Sequence, residues 1–465
     1  MAKLSEKIGY GFGDMSSSMF WKIFTYYLPF FYSEIFGLTL GEAAMLLLVT
    51  KLWDAVFDPI MGIIADRTKS RFGKYRPYLL WIAIPFAVMG VLTFTTPAFS
   101  HGWKLFYAYA SYILMMTVYS GINVPYGAML GVVSDDANER TVFSSFRMFF
   151  AYGGSFLALA IFEPVRDLFG GKNSATAWTL TMVVIGVICA ILFYFCFKMT
   201  RENVVPVESE EKVSIGKDIL SLLTNGPWWI MLVAAIAALL FNSIRGGVAA
   251  YFFQDYIGNA GSLGMGLTLS CGVFLAIGEI SNMAGVVLAV PISRHIGKKY
   301  TYIFAMIGSC VLSVVFYYMP QNVIGVWCLL ILQIFISAFA GMTFPLLWSM
   351  YADISDYSEY KNGSSSTGLI FSSSSMAQKF GGAFGSALIL WILDAFDYKS
   401  ASEAAGSAVA IVQTPATIDG LNLMMSWIPA AGCVLAAVAV AFYPLTEKRL
   451  KPIVEELEKR RAIKK

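Results

Sequence analysis

Apolar residues fall along this chain in long runs, each about the length of a helix that crosses a membrane. About twelve runs are legible, with boundaries good to a few residues: about 10–37, 41–66, 77–99, 104–133, 142–165, 175–198, 227–257, 264–293, 300–319, 323–353, 366–394 and 419–444. The pattern predicts an all-α, multi-pass membrane protein. A polar stretch of mixed charge, about 199–226, divides the runs six from six and ends in a short amphipathic segment. The expected organisation is an N-terminal six-helix bundle over 1–198, a linker over 199–226, a C-terminal six-helix bundle over 227–445 and a basic tail over 446–465.

The two sets of runs echo each other. Phe143-Ser144-Ser145 is followed by Gly153-Gly154, and Phe371-Ser372-Ser373 by Gly381-Gly382 at the same spacing. The first run ends in the stretch from Phe30 to Gly37 and the seventh in the stretch from Tyr251 to Gly258, which are alike in sequence. Arg71-Phe72-Gly73-Lys74 is matched by Arg294-His295-Ile296-Gly297-Lys298-Lys299. Pro125 with Ser134-Asp135 is matched by Pro345 with Ser355-Asp356. Each pair lies six runs apart, which predicts two parallel pseudo-symmetric halves, the plan of a major facilitator transporter.

Composition agrees with a membrane class: 57% of residues are hydrophobic and 14% charged, against about 25% charge in soluble domains. Position matters more than the net charge of +3. One set of loops and ends holds Lys3, Lys7, Arg67, Lys69, Arg71, Lys74, Arg76, Arg140, Lys198, Arg201, Lys212, Lys217, Arg294, Lys298, Lys299, Lys361 and the basic tail. The other holds Lys104, Arg166, Lys172 and Lys399. By the positive-inside rule both termini and the linker are cytoplasmic, and the first run reads as an uncleaved helix. The six cysteines lie in apolar runs without metal spacing and read as packing residues. The histidines, His101 and His295, both fall in loops. Without a phosphate loop or a clustered acid–base or metal set, the chain reads as neither an ATP-driven pump nor an enzyme.

Asp54 and Asp58 change the picture. They interrupt an apolar run at i, i+4 spacing, so on a helix they share a face roughly 5–6 Å apart. A carboxylate deep in a bilayer costs about 2.5–3.5 kcal/mol on insertion scales, so two on one face call for a partner. A small cation is one, with Ser120 and Asn123 as further oxygen ligands; a shared proton is another. Pairing with Lys51, Arg147 or Lys379 is a third reading. Other ionisable residues expected to be buried in the bundle are Asp14, Lys22, Arg245 and Glu279. Arg147 and Lys379 occupy corresponding runs, the latter beside a serine wall that includes Ser374 and Ser375. Ser16 to Ser18 and the rings of Trp21, Tyr26, Tyr119, Tyr126 and Trp348 are further candidates to line a cavity. Hydroxyls, amides and rings around one or two cations suit a polyhydroxylated ligand. Asp66, Arg67, Arg71 and Lys74 form a candidate clasp between facing helix ends, echoed at Arg294 and joined by a charge network at Asp353 and Asp356.

Several motifs resemble one family. Tyr10-Gly11-Phe12-Gly13-Asp14, Trp53-Asp54-Ala55-Val56-Phe57-Asp58-Pro59, Arg71-Phe72-Gly73-Lys74, Asn123-Val124-Pro125-Tyr126 and the stretch from Asp353 to Tyr360 do so in order. So do the stretches from Thr200 to Val204 and from Phe442 to Thr446. The chain is similar to the glycoside–pentoside–hexuronide:cation symporters, the family of the melibiose carrier, over about residues 7–450. The resemblance implies a twelve-helix carrier coupling a sugar or glycoside to Na⁺, H⁺ or Li⁺, with no cofactor and no nucleic-acid partner. It implies a cation site at Asp54, Asp58 and Ser120. It also implies sugar contacts at Arg147 and Lys379, with Ser18, Asn123, Ser374 and Ser375 at positions where the melibiose carrier has other polar residues. Asp14 and Tyr119 complete the candidate substrate set. Two acidic sugar contacts are missing here, which leans the substrate towards a hexuronide or a pentoside. The expected setting is the bacterial inner membrane, with the protein acting as a monomer. A cation-coupled carrier of a non-sugar amphiphile such as a lysolipid and an uncoupled sugar uniporter are the alternative readings.

Overall fold

The computed structural model describes residues 3–134, 137–203, 223–258, 261–264, 266–362, 367–400 and 412–463. Within its helices it leaves out the side chains of residues 66, 131, 137–138, 140–141, 362, 367–369, 371–378 and 458–463. The linker over 204–222 and the side chains of the serine wall before Lys379 therefore lie outside what is described.

The helices follow the apolar runs. They are α1 (Leu4–Tyr26), α2 (Leu40–Arg67), α3 in two pieces (Arg76–Trp81 and Ala83–Thr93), α4 (His101–Val133), α5 (Ala137–Leu168) and α6 (Ala175–Met199). Then come α7 (Gly226–Tyr251), α8 (Cys271–Ile296), α9 (Lys298–Tyr317), α10 (Val323–Asn362), α11 (Thr367–Ala395), α12 in two pieces (Pro415–Met425 and Trp427–Ala441) and α13 (Glu447–Ile463). Eight of these segments are long and apolar enough to cross a membrane by length and composition alone. Lys51, Asp54 and Asp58 keep α2 from meeting that standard. Large apolar side chains such as Val56, Ile60 and Ile63 on α2 face outward, as lipid-facing positions do.

Three of the helix breaks fall just before prolines, while Pro59, Pro125, Pro164, Pro291 and Pro345 lie inside continuous helices. A proline at position i has no N–H for the carbonyl of residue i−4. The breaks at Tyr27, Ile82 and Ser426 lie two or three residues before Pro29, Pro85 and Pro429. The expected boundaries at 353 and 264 are the furthest off: α10 runs on to Asn362, and residues 264–270 do not begin a helix. Strands β1 (Gly261–Gly264) and β2 (Leu267–Leu269) form a hairpin there, and α8 starts after Ser270, whose hydroxyl caps Val273 N at 3.3 Å.

Packing repeats with an offset of six. Helix α1 packs on α5 and α6, α2 on α4, and α3 on α4 and α6. Likewise α7 packs on α11 and α12, α8 on α10, and α9 on α10 and α12. The stretches noted at the ends of the first and seventh runs both form π-helical turns, Phe31–Phe36 and Phe252–Tyr256. Each is followed by a glycine at positive φ, Gly37 at 89° and Gly258 at 82°, a conformation that other residues rarely adopt.

The two sets of six meet through α2 against α11, α5 against α8 and, more narrowly, α1 against α7. Beyond the acidic pair, on the side away from the basic loops, Glu163 Oε2 accepts from Gly272 N at 2.7 Å, where the α8 N-terminus favours a negative charge. A Cβ at Gly272 would lie 2.7 Å from the Leu159 carbonyl, so glycine permits this approach. Ser33 Oγ and Tyr251 Oη share a hydrogen bond of 2.7 Å at the same end.

At the basic end, each half braces its own loop. Glu202, just past α6, accepts from the backbone N–H groups of Lys74, Tyr75 and Arg76 at 2.8, 2.7 and 2.7 Å. Gly73, at φ 110°, leaves the room this carboxylate needs. In the second half Glu447 accepts from Lys298 N at 2.6 Å beside Gly297. Replacing Glu202 by Ala would orphan up to three donors at about 1–3 kcal/mol per unsatisfied group. Glu202→Ala should therefore melt several degrees below wild type in detergent, whereas an unchanged melting temperature would mean that the loop does not depend on this brace.

Candidate functional site

Helix α2 turns Asp54 and Asp58 towards α11, where Lys379 pairs with both. Its ammonium lies 2.9 Å from Asp54 Oδ2 and also bonds Asp58 Oδ2. Ser120 Oγ on α4 donates to Asp54 Oδ1 at 2.7 Å. Asp54 is 2% exposed, and Asp58 Oδ1 is buried without a hydrogen-bond partner among the described residues. One turn along α2, Lys51 donates to Ser386 Oγ at 3.2 Å and to the Gly382 carbonyl at 3.5 Å, with the Trp21 ring 5.0 Å away. Two ammonium groups and two carboxylates thus interlock across α2 and α11, and their charges cancel. The oxygens of Asp54, Asp58 and Ser120 form the kind of set a hard cation takes. Asn123 does not join them: its Nδ2 donates to the Tyr119 carbonyl at 3.0 Å.

The substrate candidates divide. On α1, Asp14, Ser18, Lys22 and Tyr26 recur every four residues, so they make one half-buried stripe. Arg147 Nε on α5 bonds Asp14 Oδ2 at 3.0 Å, with its guanidinium 5.3 Å from the Tyr126 ring. Lys22 crosses to the other half and bonds Glu279 Oε1 at 2.6 Å. Ser18 alone of the first serine group stands on the stripe. Ser16 donates to the Cys189 carbonyl at 3.2 Å and Ser17 to the Gly13 carbonyl at 3.0 Å, both inside the first half. Tyr119 is half-buried against Trp21, with ring centroids 5.9 Å apart. The side chains of Ser374 and Ser375 lie outside the described residues. Lys379 stands with the aspartates rather than with this group. Because Arg147 and Lys379 both have carboxylate partners, they no longer argue for an acidic substrate. Asn242, Asn282 and Gln333 line a cavity beside α1 that the sequence reading did not single out; amides interrupting apolar runs were the available signal.

Of the clasp residues, Arg71, Lys74 and Asp353 make contacts within their own halves. Arg71 lies over the Phe72 ring at 4.6 Å, and Lys74 gives its backbone N–H to Glu202. Asp353 on α10 pairs with Lys298 Nζ at 2.7 Å, and Asp356 is half-buried one turn beyond. Arg67 and Arg294 are exposed, and the Asp66 side chain lies outside the described residues. These contacts each lie within one half.

Comparison with known proteins agrees with this architecture. Residues 9–447 match the family described as MFS/sugar transport protein. The chain is 34% identical over 460 residues to the putative glycoside/cation symporter YagG of Escherichia coli (strain K12), covering 99% of this chain and 96% of that one. It is 31% identical to the isoprimeverose transporter of Lactiplantibacillus pentosus, with 99% and 93% covered. It is 28% identical to the glucuronide carrier protein homolog of Escherichia coli (strain K12), with 98% and 96% covered. Among solved structures the nucleoside transporter NupG superposes with a TM-score of 0.62 at 14% identity, covering 94% of this chain and 98% of that one, a likeness of fold. The chain belongs to the MFS/sugar transport family, within the glycoside–pentoside–hexuronide:cation symporters of the major facilitator superfamily, and is a membrane transporter rather than an enzyme.

Proposed function

We propose that this protein is a secondary active symporter that moves a sugar or glycoside together with Na⁺ or H⁺ by alternating access. The reading takes the basic end as cytoplasmic and the membrane as a bacterial inner membrane, with one chain as the working unit. The description of YagG as a glycoside/cation symporter supports it. The observation that carries it is the acidic pair. Two carboxylates and the Ser120 hydroxyl converge between membrane-embedded helices, and the ammonium of Lys379 already occupies them.

On this reading Lys379 is the resident cation of the empty carrier. A coupling ion replaces it at Asp54 and Asp58 and frees its ammonium for the substrate side, where Asp14, Ser18, Tyr119, Asn123 and Arg147 stand. Ion and substrate then each raise the affinity of the other, because linkage is reciprocal. Glu163 with Gly272 and Ser33 with Tyr251 join the halves at the end away from the basic loops, contacts that alternating access would have to break.

Asp54→Asn removes one carboxylate and should abolish ion stimulation of substrate binding, which in linked systems is typically about 5–150-fold. Titrating a glycoside panel with Na⁺, Li⁺ and pH varied reads this directly, and retained stimulation in the variant would refute the assignment. Lys379→Ala removes the internal competitor. Its ion affinity without substrate should rise several-fold while substrate affinity falls; calorimetry in detergent that found both unchanged would exclude the exchange.

A further inference from the structure

A second polar site lies across α1 from the acidic pair. A polar cavity of about 30 Å³ opens between α1, α7, α8 and α10, lined by Tyr26, Asn242, Arg245, Glu279, Asn282 and Gln333. Arg245 is 6% exposed. Its Nη1 donates to the Met425 carbonyl and its Nη2 to Gln333 Oε1, each at 2.5 Å, and the guanidinium lies 4.8 Å from the Phe316 ring. The Met425 carbonyl needs a donor because Pro429, four residues on, has no N–H. A neutral amide could serve that carbonyl. A guanidinium has five N–H donors, and two are used. Among the described residues no carboxylate lies within ion-pairing distance of it.

Facing it, Glu279 is 2% exposed. Its Oε1 is held by Lys22 at 2.6 Å, while its Oε2 is buried with no hydrogen-bond partner among the described residues. Lys22 and Glu279 cancel, so Arg245 sets the sign of the cavity as positive. A buried, uncompensated cation inside a membrane bundle is costly and calls for an anion. The other cations described inside the bundle are engaged elsewhere: Arg147 by Asp14, Arg166 by Asp167, Lys379 by the aspartates, and Lys51 by α11 away from this cavity.

We propose that this cavity is the subsite for an anionic group on the transported ligand, a carboxylate or sulfonate, and that Arg245 recognises it. The anion takes the spare guanidinium N–H groups, a neighbouring ligand hydroxyl donates to Glu279 Oε2, and the amides of Asn242, Asn282 and Gln333 supply the remaining polar contacts. The inference rests on the reading of the chain as a glycoside carrier.

The test compares methyl β-D-glucuronide with methyl β-D-glucoside, which differ in one carboxylate, by binding to the full-length protein in detergent. Wild type should prefer the glucuronide by about tenfold or more, the range of a charge-assisted hydrogen bond. Arg245→Gln, which can still donate to Met425, should lose far more affinity for the glucuronide than for the glucoside, so that the preference collapses towards one. Arg245→Lys should keep part of it. A wild-type protein that prefers the glucoside, or an Arg245→Gln variant with the preference intact, overturns the proposal, and the first of these needs no variant to fold. If neither glycoside binds in an ion-dependent way, it is the symporter reading that fails.

Discussion

The interlocked charges of Lys51, Asp54, Asp58 and Lys379 set the terms for the rest of the structure. Four ionised groups can share a membrane-embedded helix pair only if each sees an opposite charge or a hydrogen bond at close range. That requirement fixes α2 against α11, the main seam between the halves near the acidic pair. It also explains why Gly382 and Ser386 occupy the α11 face that meets Lys51: one offers an unobstructed carbonyl, the other a hydroxyl. Removing any member leaves the others uncompensated, and so the cluster answers to ions and holds the seam at once.

The remaining charges follow the same rule at other levels of the bundle. Asp14 with Arg147 lies within the first half; Lys22 with Glu279 spans the halves. At the basic end Glu202 and Glu447 tie loops to the helix ends of their own half, and at the opposite end Glu163 caps α8 across the seam. Internally braced halves that touch over a limited seam are suited to rocking as units, with little change inside either.

Much of this was legible in the sequence. The run lengths located the helices, and the likeness of the stretches ending at Gly37 and Gly258 marked a pair that both form π-turns, a conformation the sequence did not foretell. Asp54 and Asp58 stood out because charge in an apolar run is expensive, and Ser120 was within reach of that argument. What escaped was pairing. Lys379 is 321 residues from Asp58, and no local pattern reveals which of several buried cations meets which acid. Glu202 and Glu447 sat in matching Thr-Arg-Glu and Thr-Glu contexts after the sixth and twelfth runs, a repeat that went unread. The stripe from Asp14 to Tyr26 was also available, since its period is a plain four residues. The hairpin before α8 was hidden because its apolar residues continue the run behind it.

Arg245 and Pro429 are tied in a way that bears on how such a carrier can diverge. The proline strands the Met425 carbonyl and the arginine occupies it, so residue 245 serves the α12 backbone as well as the cavity. Altering it for a different cargo exposes a peptide group, while restoring an N–H at position 429 would release it from that duty. Changes at the two positions should therefore be inherited together, with the helix break acting as a historical constraint on which ligands a descendant of this chain can adopt in a single step.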